Sequence, residues 1–320
     1  MGIRLPVVVV VLALALAGCG GSDPDDESPV DTSAAEALDK ENHAQNLKAK
    51  EVSKQKAAAA KLEARRTKFT VKIEKMVSNL SGEAGLVVGA PGGDGVTLGT
   101  NGSLSSISAW STSKVPIAER ILKDANGPSG ITSTQRSNIN RALTLSDNTA
   151  ALALWQDLID THGGVDGAAK SIDKMLRQAG DNKTMVSTKG RESFTPFGQT
   201  DWSLKNQNKY MAALAGECIS TPASRKYLFK EMSSVTSDTW GFGSAGVPAK
   251  WKGGWGPGTD GKYLVRQMGT MKIGGEEAVV TLAAIPDDGS FESGQAMATS
   301  IARWAATHLR GKVPEPTPCP

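Results

Sequence analysis

Three short motifs follow one another along this chain of 320 residues, two at the starts of predicted helices and one within a predicted strand. Ser111-Thr112-Ser113-Lys114 leads into a helical pattern, and Ser146-Asp147-Asn148 precedes another. Lys252-Gly253-Gly254 lies within a strand pattern. A fold that uses all three motifs together must bring two helix ends and one strand to a common cleft.

The order of the predicted elements suggests how this happens. Two strand patterns, 85–89 and 96–99, flank a glycine-rich turn, and three more follow at 249–255, 263–271 and 278–285. A mostly helical block lies between them, and a last helix covers 296–309. Consecutive strands with short turns must be antiparallel. We therefore expect an α/β fold (α+β in some schemes): a five-stranded antiparallel sheet flanked by helices, with a helical subdomain over about 117–235.

The N-terminus has the pattern of an exported protein. Arg4 precedes an apolar run from Pro6 to Ala17, which is short for a membrane span and typical of a signal peptide. The run ends in Leu16-Ala17-Gly18-Cys19, which resembles a bacterial lipoprotein box. This resemblance implies a signal peptide over 1–18, a lipid on Cys19 and attachment to the extracytoplasmic face of the cell membrane. An ordinary secretory signal with a chance cysteine is the alternative.

Composition divides the rest of the chain. Residues 19–39 are predicted to form a flexible tether, and residues 40–65 a helix rich in lysine and arginine, which we call the basic stalk. The basic stalk is either a solvated helix or a surface for anionic envelope polymers. From Phe69 to Leu80, apolar residues at helical spacing indicate packing on a core. The domain proper is expected over 66–313, with a tail at 314–320.

Charge and cysteine content narrow the function classes. Net charge is only +3, from 36 basic and 33 acidic residues, which argues against a nucleic-acid partner. The histidines are scattered without metal-ligand spacing, so neither a metal nor a cofactor is expected. After Cys19, the remaining cysteines are Cys218 and Cys319, which either pair or remain free thiols.

The chemistry of the motifs starts from a serine that needs a base. If Ser111 opens a helix, Lys114 lies one turn further on the same face, and burial would lower the pKa of its amine towards neutrality. A helix N-terminus also favours the negative charge that develops during attack. Simpler readings remain: Ser-x-x-Lys recurs by chance, Ser146-Asp147-Asn148 is a common helix N-cap, and Lys252-Gly253-Gly254 suits a strand with a bulge.

Taken together, these residues resemble the superfamily of penicillin-binding proteins and class A β-lactamases, over about residues 66–311. The resemblance implies that Ser111 is the nucleophile, Lys114 its general base and Ser146 a proton relay. Asn148 would hold the substrate amide, and Lys252, with Gly253 and Gly254, would bind a substrate carboxylate. The N–H groups of Ser111 and Trp255 would form the oxyanion hole. Trp255 and Trp251 would either wall the cleft or cover the core.

The sequence departs from the family pattern at three points. Gly253 stands where the family usually has a threonine or serine, so carboxylate binding should be weaker or different. The segment between Ser111 and Ser146 is short, so a loop bordering the cleft should be missing. The glutamate segment that positions deacylating water in class A enzymes is not found, and Glu192 is a poor substitute.

We therefore expect a cell-envelope lipoprotein with a serine hydrolase or acyl-transferase domain. Its partners would be peptide-like or β-lactam amides, with peptidoglycan as a further candidate, and β-lactam turnover would be slow. The alternative is a catalytically silent binding or scaffolding lipoprotein that keeps the fold.

Overall fold

A computed structural model describes residues 33–92, 98–102, 104 and 106–319. The predicted signal peptide, Cys19 and the first part of the tether lie outside these residues. The chain divides between residues 59 and 60 into two units. Within the described part, none of the helices combines the length and the apolar character that a membrane span requires.

The described elements follow the predicted order. The strands are β1 (Gly82–Gly89), β2 (Leu98–Thr100), β3 (Ala249–Pro257), β4 (Tyr263–Ile273) and β5 (Glu276–Pro286). The α-helices are α1 (Ser33–Ser78), α2 (Lys114–Asp124), α3 (Ser133–Thr144), α4 (Asn148–Thr161), α5 (Val165–Gln178), α6 (Leu204–Ala215), α7 (Pro222–Met232) and α8 (Phe291–His308). Short 3-10 helices cover Trp110–Ser113, Phe197–Gln199 and Gly241–Ser244.

The five strands form one sheet in the order β2-β1-β5-β4-β3, and every neighbouring pair is antiparallel. The two early strands thus join the three late ones through β1 and β5, which confirms the predicted fold class. The tip of the β1–β2 turn, residues 93–97, lies outside the described residues. Strand β3 is at the edge of the sheet, which leaves one side of its backbone available to other elements.

One face of the sheet is covered by the last part of α1, from Phe69 onward, and by α8. Ile73 near the end of α1 and Ile301 of α8 are fully buried in a core that includes Val280 and Leu282 of β5. Phe69, Met76 and Leu80 pack against the same core, as their helical spacing predicts. By contrast, the described side chains from 37 to 58 are exposed.

The opposite face carries the helical block. Helix α6 lies against it, and Asn208 donates hydrogen bonds to the Val87 and Val279 carbonyls, 3.2 Å in each case. A second core holds α2, α4 and α5 together around residues such as Leu122, Leu154 and Leu176. Candidate site residues therefore come from the helical block and from β3 at the edge of the sheet.

The C-terminal tail is fixed to the domain by a disulfide between Cys218 and Cys319, whose Cα atoms are 5.2 Å apart. The Thr317 amide also donates to the Pro91 carbonyl at 3.2 Å. Of the two states that the sequence left open, the structure thus has the paired one.

Candidate active site

Ser111 lies in a tight turn immediately before α2. The turn is a 3-10 helix, so the α-helix starts at Lys114 rather than at Ser111 as the sequence suggested. Trp110 adopts a φ of 47°, a strained value for a bulky residue. Inside the turn, the Thr112 hydroxyl donates to the Ala109 carbonyl and accepts from Gln207 of α6 at 2.8 Å. The strain at Trp110 is therefore held by bonds from the surrounding structure.

The segment that leads into this turn is tied to the sheet by Arg266 of β4. Its buried guanidinium donates to the carbonyls of Ile107 at 3.2 Å, Ser108 at 2.8 Å and Trp202 at 2.8 Å. Because a guanidinium presents several donors in a rigid plane, one side chain fixes two separate loops. Arg266 thus positions the turn that contains Ser111 relative to the sheet.

Lys114 is buried, with only 1 % of its surface exposed. Its Nζ donates to the Ser146 carbonyl at 2.6 Å and to Asn148 Oδ1 at 2.7 Å, and it lies 3.5 Å from the Ser146 hydroxyl. Burial, helped by the nearby charge of Lys252, lowers the pKa of Lys114 to about 6, against weaker opposing effects of Asp238 and Asp147. A neutral amine has two N–H groups, and two carbonyl oxygens accept them. Its lone pair remains available to take a proton.

Ser146 occupies the junction between α3 and α4 with a φ of 58°, in the left-handed region. This conformation places both its carbonyl and its hydroxyl within reach of Lys114. The next residue, Asp147, caps α4 by accepting from the Ala150 amide at 2.9 Å, and it pairs with Arg141. The motif is therefore an N-cap, as the simpler reading held, and its two flanking side chains also contact Lys114.

Lys252 enters the same cluster from β3 and is fully buried. Its Nζ contacts the Ser146 hydroxyl at 2.9 Å, Asp238 Oδ2 at 3.1 Å and its neighbour's carbonyl, that of Gly253, at 2.7 Å. Burial lowers the pKa of Lys252, and the Asp238 carboxylate opposes that shift. The Ser146 hydroxyl thus bridges the two lysine amines.

Strand β3 passes very close to the turn that contains Ser111. A Cβ at position 254 would lie 2.9 Å from the Ser111 nitrogen, and one at position 256 would lie 2.4 Å from the Trp110 ring. Only glycine permits these approaches without displacement of the turn. Gly254 therefore brings the β3 backbone beside the Ser111 amide, where the resemblance expects the oxyanion hole.

The two tryptophans of β3 do not point into this cleft. Trp251 is buried in the core beneath α8, and the Trp255 ring packs on Phe291 of α8 with ring centroids 4.5 Å apart. Lys252, Gly254 and Gly256 face the other way, as strand alternation requires. Trp251 thus belongs to the core, whereas Trp255 is 42 % exposed and packs on α8 at the edge of the sheet.

Four of the predicted residues are in direct contact: Lys114, Ser146, Asn148 and Lys252. Ser111 is adjacent through its backbone, but among the described residues its hydroxyl makes no hydrogen bond. Glu192, the poor candidate for a deacylating base, is exposed on a loop with a φ of 54°. Arg191 beside it anchors that loop by donating to the carbonyls of Pro257 and Gly258 at the end of β3.

Sequence reasoning missed Asp238, which lies in the loop between α7 and the 3-10 helix Gly241–Ser244. Only 2 % of its surface is exposed, and it pairs with Lys252. An aspartate in a polar loop carries no distinguishing pattern, so the ion pair follows only from the three-dimensional structure. Within the described residues, no cluster of histidine, cysteine and carboxylate side chains could hold a metal ion.

The sequence and the fold were compared with those of known proteins. No family model matches the sequence. No curated protein matches it either. Solved structures do match, and they show that the chain has the fold of the serine β-lactamases and penicillin-binding proteins.

The similar structures cover nearly their whole length. A class A β-lactamase from Bacteroides cellulosilyticus is 11 % identical with a TM-score of 0.61, over 78 % of this chain and 99 % of that one. A mutant of PBP-A, as an acyl-enzyme complex with penicillin G, is 19 % identical with a TM-score of 0.57, over 77 % and 97 %. A β-lactamase mutant from Vibrio parahaemolyticus is 15 % identical with a TM-score of 0.57, over 75 % and 99 %. At these identities the comparisons confirm the predicted fold and leave the chemistry to the residues.

Proposed function

We propose that this protein is a serine acyl hydrolase or acyl-transferase in which Ser111 is the nucleophile and Lys114 its base. The observation that carries the proposal is the state of Lys114. Its amine is buried one turn after Ser111, its pKa is lowered to about 6, and two carbonyl oxygens accept its N–H groups. A neutral lysine with a free lone pair can act as a general base at neutral pH.

The proposed first step forms an acyl-enzyme. The Ser111 oxygen bonds to the carbonyl carbon of an ester or amide, and the serine proton moves to the Lys114 amine. The bond from that carbon to the leaving oxygen or nitrogen then breaks, and the leaving group takes a proton through the Ser146 hydroxyl, which lies between Lys114 and Lys252. The Ser111 amide, beside Gly254, and the Trp255 amide would stabilise the oxyanion.

The second step, transfer of the acyl group to water or another acceptor, has less support in the site. Glu192 is exposed and has neither a hydrogen bond nor an ion pair to other described residues. We therefore propose that water attacks slowly, so that an acyl-enzyme formed with a β-lactam persists. A peptide-like amide of the cell envelope, with peptidoglycan as a candidate, is the proposed natural donor.

We also propose that the protein is exported and attached through a lipid on Cys19. The disulfide between Cys218 and Cys319 supports the export, because such bonds persist outside the cytoplasm. A Cys19→Ala chain that still fractionates with membranes would contradict the lipid attachment.

The catalytic proposal is tested with an uncharged alkyl fluorophosphonate. The Ser111 oxygen would bond to phosphorus, fluoride would leave, and the serine proton would pass to Lys114. Intact mass of the full chain should show one adduct, which Ser111→Ala abolishes and Lys114→Ala strongly slows. Ser300→Ala, a change to an exposed serine on α8, is the matched control and should label like the wild type.

A silent binding protein is the second candidate, and one observation favours it. The Ser111 hydroxyl makes no hydrogen bond to Lys114 or to any other described residue. If no Ser111 adduct forms with the fluorophosphonate, and Ser111→Ala and Lys114→Ala keep the thermal stability of the wild type, this candidate replaces the enzyme.

A further inference from the structure

The Lys252 amine is already fully occupied by the protein itself. An ammonium has three N–H groups, and three oxygens surround this one: the Ser146 hydroxyl at 2.9 Å, Asp238 Oδ2 at 3.1 Å and the Gly253 carbonyl at 2.7 Å. An incoming carboxylate would therefore have to displace one of these partners. Of the three, only Asp238 is itself a carboxylate.

Asp238 is held in this position from several directions. Its backbone carbonyl accepts from Trp251 Nε1 at 2.9 Å and from Gln267 Nε2 at 3.1 Å, so β3 and β4 both fix it. Its side chain is buried, and the ion pair with Lys252 has almost no contact with solvent. Removal of either partner would leave an unpaired buried charge, so the pair does not open readily.

Gly253 is the residue that makes room for this carboxylate. A Cβ at position 253 would lie 2.8 Å from both Asp238 Cβ and Asp238 Oδ2. Real Cβ atoms do not approach other atoms so closely, so a threonine or serine at 253 would push Asp238 away. The departure of the third motif from the family pattern and the presence of Asp238 are thus one structural feature.

The charge at this end of the cleft follows from the same contacts. Asp238 offsets the charge of Lys252, and a substrate carboxylate bound at Lys252 would approach the Asp238 carboxylate closely. Like charges brought together in this way weaken binding. We propose that Asp238 acts as an internal carboxylate on Lys252, and that the site selects acyl donors with no carboxylate beside the scissile bond, namely uncharged esters or amides. This inference rests on the proposed function of Ser111 and Lys114.

A matched pair of reagents tests the substrate class: penicillin G and its methyl ester, which differ only at the carboxylate. In both, the Ser111 oxygen bonds to the ring carbonyl carbon, the ring C–N bond breaks, and the serine proton ends on the ring nitrogen. The adduct mass is therefore the whole reagent, and intact mass of the full chain over time gives the acylation rate. The wild type should react faster with the methyl ester, by a factor on the order of tenfold or more.

Asp238→Asn removes the charge with little change of shape and should shift that preference towards penicillin G on the order of tenfold. Asp238→Ser also leaves one N–H group of Lys252 without its acceptor and should shift the preference in the same way. It serves as the second variant if the asparagine variant does not fold. Asp287→Asn, a change to an exposed aspartate far along the chain, is the control and should keep the wild-type preference.

Two results would overturn the inference while Ser111 still reacts with the fluorophosphonate. The first is a wild type that reacts as fast with penicillin G as with its methyl ester. The second is a folded Asp238 variant that keeps the wild-type ratio of the two acylation rates. If no reagent labels Ser111 in the wild type, the proposed function fails, and the substrate class fails with it.

Discussion

The protonation state of Lys114 is the most direct prediction of the site. A change of its pKa from the usual 10.5 to about 6 corresponds to about 6 kcal/mol in favour of the neutral amine. At pH 7, roughly nine in ten molecules would then carry a neutral Lys114, against roughly one in three thousand for an unperturbed lysine. Burial of Lys114 is therefore the main reason that it can act as a base for Ser111 at neutral pH.

The expected pH profile follows from this state. Because the reactive form is the neutral amine, the labelling rate should be flat above pH 7 and fall about tenfold per pH unit well below pH 6. An uncharged fluorophosphonate is the suitable reagent, since it does not titrate in this range. Rates from pH 4.5 to 9 would be measured on the full chain, with thermal stability checked at each pH.

Lys114→Arg is the sharpest variant for this test, because arginine has a similar length but does not lose its proton. We expect labelling at pH 7 to fall by about five orders of magnitude or more, to the background rate, because arginine has almost no neutral form at this pH. A labelling rate that keeps rising to pH 10 would refute the role of a neutral Lys114. So would a fall of the rate near pH 6 that persists in folded Lys114→Arg.

Three further predictions concern stability. Gly253→Thr should destabilise the fold by about 1–3 kcal/mol through overpacking against Asp238. Much of that loss should disappear in an Asp238→Gly background, which removes the Cβ as well as the carboxylate; equal losses in chemical denaturation in both backgrounds would argue against the clash. Burial raises the pKa of Glu119 to about 7, so the proton is held more tightly in the folded chain and folding stability should fall as pH rises from about 4.5 to 7, by up to about 3 kcal/mol. Glu119→Gln should remove that fall, and parallel curves for variant and wild type would contradict it. The disulfide spans 101 residues, so the double variant Cys218→Ser and Cys319→Ser should lose about 2–5 kcal/mol in urea denaturation under oxidising conditions, whereas an unchanged midpoint would show that the crosslink adds nothing.

The sequence predicted most of the architecture because the relevant signals are local. Alternation and glycine turns located each of the five strands to within a few residues, and the run of apolar residues from Phe69 identified the part of α1 that packs on the sheet. Motif order also predicted that Lys114, Ser146 and Lys252 would meet, although they are separated by up to 138 residues in number, since each stands at the end or edge of an element facing the cleft.

What the sequence could not supply depends on contacts between distant loops. The strained φ values at Trp110 and Ser146 arise from tertiary bonds and leave no mark in composition. The Trp255 ring points towards α8. Alternation along β3 shows which residues share a face, but it does not show which face α8 covers. Gly253 was visible as a departure, but its reason became clear only with Asp238 beside it.

Asp238 links substrate choice to the pKa of the base, and this link gives the final prediction. The Asp238 charge raises the pKa of Lys114, while the Lys252 charge lowers it. If Lys252 keeps its proton in Asp238→Asn, the midpoint of the labelling rate against pH should move below 6. The freed ammonium should then bind the carboxylate of penicillin G. If Lys252 instead loses its proton with its partner, the midpoint of the pH profile should move above 6, penicillin G should gain nothing, and the inferred role of Asp238 fails. The two readouts must therefore change together in the same variant. A faster acylation by penicillin G together with a midpoint of the pH profile above 6 would mean that Lys252 is not the group that binds the carboxylate.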